Sequence, residues 1–348
     1  MSAVLADPLE AGPAPRTVWS AAAARFRMDR VGMVSLVVVL AFLLVVLATA
    51  LGLLASDWQV ERGVPDAPPT FLGAAADNQA QALDGPHGPS ADISAIDPLA
   101  PMYQAWAEAA KKYQTRDAVR AATLPFGADR LGRDVLAKAL KGAQVSILVG
   151  VSAAVVATLL GTVLGALAGF FGGPMGDVLE WVYNVFTAIP GILLIFAFAA
   201  VFPRGVTSVV LILGLAGWTG IYRLVRAEFI KHAVRDYVRS AEALGASASA
   251  RIFRHILPNV SHVVLVQLSV HVVGFIKSEV ILSYLGLGVG VDQVSWGTML
   301  SEAPSELILG HWWQLAAATI LMATFVTAFS LMTDALRDAL DPKLRGLE

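Results

Sequence analysis

Between Val31 and Ala55 the chain carries no charged residue. About 20 apolar residues span the hydrocarbon core of a bilayer as a helix. A helix also satisfies every backbone N–H and C=O where no water can. Further apolar stretches follow at about 145–170, 178–201, 206–224, 260–285 and 313–332. The pattern predicts an all-α membrane protein with six transmembrane helices. The composition agrees: 56% hydrophobic, 15% charged and a mean hydropathy of +0.66, against about 25% charged in soluble domains. A net charge of −2 gives no footprint for a nucleic acid. There is no cysteine, which excludes disulfides, thiol nucleophiles and Cys-based metal sites.

Taken in order, residues 1–24 are expected to be a disordered cytoplasmic tail, and 25–55 to hold the first span. Arg25, Arg27 and Arg30 precede the apolar run, which places the N-terminus in the cytoplasm. Ala48-Thr49-Ala50 imitates a signal-peptide cleavage site, but the run is longer than a signal core and reads as a retained anchor. Residues 56–124 are a different material. Pro68-Pro69, Asp84-Gly85-Pro86 and Gly88-Pro89 are turn signals, and only about 102–122 reads as a helix. This is expected to be a long extracytoplasmic insert between spans 1 and 2. Two readings stay open for it: a flexible linker, or a small cap that meets a binding protein.

Residues 125–348 are expected to form a five-span core. In its lead-in, Gly127 and Gly132 allow tight backbone, and Asp129, Arg130, Arg133 and Asp134 can pair locally. In the second span Gly161, Gly165 and Gly169 recur every four residues and put small residues on one helix face. That permits close helix–helix approach in lipid. Pro190 is expected to kink or break the third span. The fifth span carries His262, His271, Lys277 and Glu279. Lys277 and Glu279, two apart, do not share a helix face and are expected near the outer mouth. The histidines read as core packing or lipid-interface contacts.

The polar, basic stretch from 228 to 258 interrupts the apolar runs. Phe229, Ile230, Ala233, Val234, Tyr237, Val238, Ala241 and Leu244 recur at helical spacing, which predicts an amphipathic helix. Lys231, Arg235 and Arg239 lie four apart on another face. Gly245 is expected to end this helix in the left-handed conformation. Ser247 or Ser249 would cap a second short helix. Pro258 suits the first turn of the next long one.

These motifs carry a family resemblance. Arg239-Ser240-Ala241, Gly245 and His255-Ile256-Leu257-Pro258 resemble the EAA loop of ABC-importer permeases, although Arg239-Ser240-Ala241 departs from the usual Glu-Ala-Ala. Residues 127–134, Glu279 to Gly288 and Ser295 to Leu300 resemble further blocks of the peptide, dipeptide and nickel branch, the OppC/DppC-like permeases. The resemblance implies a type I permease fold of six spans in the plasma (inner) membrane. It implies coupling to an ATPase through Arg239, Ser240, Ala241, Gly245, Ala246, Ser247 and Pro258. Glu279 and Trp296 are the pathway candidates. The implied partners are a homologous second permease, two ATPases that bind ATP and Mg, and an extracytoplasmic binding protein. The implied cargo is a di- or oligopeptide, with nickel chelates or another small solute as the alternative.

Two further features support that implication. No Gly-x-x-x-x-Gly-Lys-Ser/Thr loop is present, so the chain does not cradle ATP phosphates in the usual way. Lys231, Arg235, Arg239, Arg251 and Arg254 crowd one loop, while no Lys or Arg occurs between Lys277 and Arg337. With six spans, that asymmetry puts the loop and both termini in the cytoplasm. A stand-alone ion-coupled carrier would need charges along several spans. An intramembrane hydrolase would need paired catalytic groups in them.

Overall fold

The computed structural model describes residues 18–74, 97–110 and 120–340. It is helical, with only isolated β-bridges outside the helices among these residues. The helices are α1 (Val18–Met28), α2 (Arg30–Ala50), α3 (Tyr103–Ala110), α4 (Val135–Phe171), α5 (Gly173–Ala188), α6 (Gly191–Val201), α7 (Val206–Ala233), α8 (Asp236–Ala243), α9 (Ala248–Tyr284), α10 (Trp296–Ile308) and α11 (Trp313–Leu340). Among the described residues five helices are long and apolar enough to cross a membrane: α2, α4, α7, α9 and α11. The bent pair α5–α6 makes a sixth.

The third span is therefore broken rather than kinked. Its halves meet at 87°. Pro190 cannot continue α5, and it forces the preceding Ile189 into an extended conformation with ψ 130°. The expected span limits shift elsewhere. The helix expected from 145 begins at Val135, and the one expected to end at 224 runs on to Ala233. The helix expected over about 102–122 is seen only as α3; 111–119 lie outside the described residues, and 120–122 are not helical, since Ala121 pairs with Gly63 in a β-bridge instead. Residues 341–348 and most of the N-terminal tail also lie outside the described residues.

The chain divides into two compact units. One comprises Met1–Leu44, Ile147–Glu279 and Ala323–Glu348. Its centre is the seam between α4 and α7. A Cβ added at Gly161 would sit 2.5 Å from the carbonyl oxygen of Trp218, at Gly165 2.7 Å from that of Tyr222, and at Gly169 2.6 Å from that of Arg226. The glycine stripe thus lets two backbones touch, as the spacing predicts. Gly217 on α7 meets the ring of Phe275 on α9 in the same way. At the chain ends, Ala22 of α1 packs with Ala339 and Leu340 of α11.

The other unit comprises Val45–Ser146 and Val280–Met322. Here the described parts of the insert are ordered. Backbone bonds join Val64 N–H to Ala121 O, Ala121 N–H to Arg62 O and Ala128 N–H to Ala67 O. Val64, Ala67, Leu124 and Ala128 close a small apolar core beneath them. These bonds tie 61–74 to 120–134. Residues 75–96 lie outside the described set.

Candidate functional site

The basic stretch of the first unit folds as helix, turn and helix. It differs from the single amphipathic helix expected over 229–244. α7 ends at Ala233, Arg235 is extended, and α8 starts at Asp236, whose carboxylate faces the positive end of the helix. The break turns the apolar residues two ways. Phe229, Val238, Ile252 and Ile256 join Ala166, Ile221, Val225 and Val260 in one buried core. Ile230, Val234, Tyr237 and Leu244 are exposed instead, Leu244 at 89%.

α8 ends as the sequence predicts. Gly245 has φ +83°, Ala246 N–H bonds to Ala241 O at 2.9 Å, and Gly245 N–H bonds to Glu242 O at 2.9 Å. This is the paired Schellman arrangement, which needs a residue at ease in the left-handed region. Ser247, not Ser249, caps the next helix: its Oγ accepts from Ala250 N–H at 3.2 Å. Arg251 bridges the turn, with Glu242 at 2.5 Å and its guanidinium 5.2 Å over the ring of Phe170.

Pro258 does not start a helix. α9 is continuous from Ala248 to Tyr284, and its turn Arg251–Ile256 is π-helical. Pro258 has no N–H for the carbonyl of Arg254, and its ring would crowd that oxygen. The wider turn, in which Leu257 N–H reaches Ile252 O, lets the helix pass through instead of ending. The side chain of Asn259 donates to His255 O at 2.7 Å.

Of the seven residues predicted for coupling, Arg239, Ser240, Gly245, Ser247 and Pro258 are exposed, Ala246 is half-buried and Ala241 is buried. Ala241 holds the segment to its core; the others sit on its surface. Sequence reasoning missed Phe253, which is 63% exposed between buried Ile252 and Ile256, and it assigned Leu244 to the inward face. Leu244, Phe253, Arg239 and Arg254 are all exposed on this segment.

Glu279, predicted for the pathway, is 0% exposed in the first unit, whereas Lys277 is exposed. The two do lie on different faces, as their spacing requires. His271 is held by Gln267 at 3.3 Å and Thr158 at 3.5 Å and stacks on Phe275, which is the core-packing role. No cluster of three metal-ligating side chains occurs among the described residues.

In the second unit Trp296 is also 0% exposed. Its indole N–H donates to Ala139 O at 3.2 Å, and its backbone N–H to Ser146 Oγ at 3.2 Å. Neither Glu279 nor Trp296 offers surface to a solute in this conformation. Near Trp296 lies a buried charge network, of which only the Asp129–Arg133 pair has a local sequence signal. Lys138, 1% exposed, reaches Asp129 at 2.7 Å, Glu302 at 2.5 Å and Gln314 at 3.0 Å. Arg133 also holds Asp129, at 2.6 Å. Burial pushes the Asp129 carboxyl up, but Lys138 and Arg133 outweigh it and hold the group below the ordinary range. Glu306 goes the other way. Burial raises it to about 7, with Asp129 and Asp66 adding to the rise against Lys138 and the backbone N–H of Arg130. Among the described residues Glu306 Oε2 and Asp66 Oδ1 are buried without a hydrogen-bond partner.

Comparison with known proteins accounts for the architecture. Residues 161–346 match the family of binding-protein-dependent transport system inner membrane components. The oligopeptide transport system permease protein OppC of Bacillus subtilis is 34% identical over 220 residues, covering 63% of this chain and 72% of that protein. This chain belongs to that family. The OppC of Escherichia coli K12 is 38% identical over the same length, with 63% and 72% covered. The glutathione transport system permease protein GsiD of Shigella flexneri is 38% identical over 221 residues, with 64% and 73% covered. The chain is thus an OppC/DppC-like permease with several membrane-spanning helices, and the matched region includes the whole helix–turn–helix segment.

Proposed function

We propose that this permease forms half of the translocation pathway of an ATP-driven importer for di- or oligopeptides in the inner membrane. A binding protein outside delivers the peptide. A second, homologous permease completes the pathway, and two separate ATPases bind ATP and Mg and supply the energy. The observation that carries the reading is the exposed helix–turn–helix: Leu244, Phe253, Arg239 and Arg254 are exposed on a segment seated on a buried apolar core. Ser240, Gly245, Ala246, Ser247 and Pro258 form the rest of this docking segment, and Ala241 anchors it from below. Movement of the ATPases would then reach α7 and α9 directly, because Val238, Ile252, Phe229 and Val260 share one core. The peptide cargo is supported by the relatives named for oligopeptides, dipeptides and glutathione. The charge asymmetry supports cytoplasmic termini, with 56–124 outside.

The test is the composition of the complex after mild detergent extraction of the tagged chain. One further multispan protein and two ATPases in the isolated assembly are expected. A chain that emerges alone and still moves solute in liposomes would overturn the reading in favour of an ion-coupled carrier.

A further inference from the structure

Resting on the peptide-importer reading, we propose that Lys277 lines the solute pathway and acts as counter-ion for the carboxylate of the passing peptide. Val270, Gly274 and Lys277 follow one another at i, i+4 and i+7 on α9, and all three are exposed. A Cβ added at Gly274 would meet nothing within 4 Å, so the surface beside the lysine is open. Glu279, the nearest carboxylate along the helix, is 0% exposed on another face. No carboxylate among the described residues pairs with Lys277. Lys277 stands seven residues before the end of α9 at Tyr284, which at 1.5 Å per residue is about 10 Å inside the helix end. An ammonium on a membrane-spanning helix is costly against lipid tails, so such a side chain turns to water or to an anion. The cargoes for which the relatives are named, oligopeptides, dipeptides and glutathione, all carry a free carboxylate. The open notch at Gly274 leaves room for peptide backbone beside the charge.

The chain has no cysteine, so Lys277→Cys introduces a single thiol into it. The experiment uses the full importer complex in liposomes, with labelling read on this chain and tri-alanine as the probe peptide. Uptake of tri-alanine should fall by about tenfold or more, the scale of a hydrogen bond to a charged group. Aminoethyl methanethiosulfonate, which restores the positive charge, should recover uptake, and the sulfonatoethyl reagent should not. Tri-alanine should slow the labelling during ATP turnover, and its C-terminal amide should not. A thiol never reached from water, as for a lysine tail that only snorkels to the interface or meets the second permease, overturns the proposal. So does equal protection by the acid and the amide. A wild-type complex that moves no tri-alanine counts instead against the peptide reading itself.

Discussion

The close approach of α4 and α7 can be broken by one methyl group. In Gly161→Ala the new Cβ would stand 2.1 Å from Ile221 Cγ2, 2.5 Å from the carbonyl oxygen of Trp218 and 3.1 Å from Tyr222 N. The isoleucine can rotate, but the carbonyl belongs to the backbone of α7. To reach ordinary contact the helices must part by about 0.9 Å, and a gap of that size forfeits a quarter to a half of each dispersion contact along the seam. Overpacking of this kind costs about 1–3 kcal/mol. The substitution also gains up to about 1 kcal/mol of helix propensity. With the clash at the upper end of its range, the net expectation is a loss of about 2 kcal/mol. Gly274→Ala is the control, because its Cβ meets nothing within 4 Å. Thermal loss of the monodisperse peak in detergent would measure both. Gly161→Ala should melt several degrees below wild type, and Gly274→Ala at or slightly above it. A Gly161→Ala protein as stable as the control would refute the contact between the two backbones.

Lys138→Met removes the cation that holds Asp129 and Glu302. It should cost about 1–3 kcal/mol in denaturant titration, since Asp129 keeps Arg133 but loses a buried, charge-assisted contact; a neutral result would mean that Lys138 adds no net stability. Glu306 predicts a pH dependence of unusual sign. Its folded pKa of about 7 lies above the ordinary 4.5, so the folded state binds the proton more tightly than the unfolded chain. The stability it contributes is fully present below 4.5 and is lost as pH rises toward 7, by at most about 1.4 kcal/mol per unit. Melting followed across that window should show the decline in wild type and not in Glu306→Gln. Gly245→Val should weaken the α8 turn by about 1–2 kcal/mol, the penalty of a side chain in the left-handed region, while Gly245→Asn should keep most of it. Hydrogen exchange at the Ala246 amide would show faster opening in the first and little change in the second.

The features that could be read from the chain alone are those set by neighbours in sequence. Run lengths of apolar residues set the number of spans. Spacing of four put Gly161, Gly165 and Gly169 on one face. The left-handed Gly245 and the Ser247 cap follow from local hydrogen bonding, which the residues themselves determine. Other features depend on groups far apart along the chain. Lys138 finds Glu302 and Gln314 across 164 and 176 residues, and no spacing rule links them. Pro258 signals a helix start by propensity, yet α9 runs through it, because packing of Ile252, Ile256 and Val260 into one core favours a continuous helix with a widened turn. Glu279 and Trp296 are pathway candidates in sequence because they stand in blocks that resemble those of the permease family. Only the tertiary structure shows them enclosed, with Lys277, two residues from Glu279, left facing outward. Burial is a property of what packs against a residue, and the chain's order does not record it.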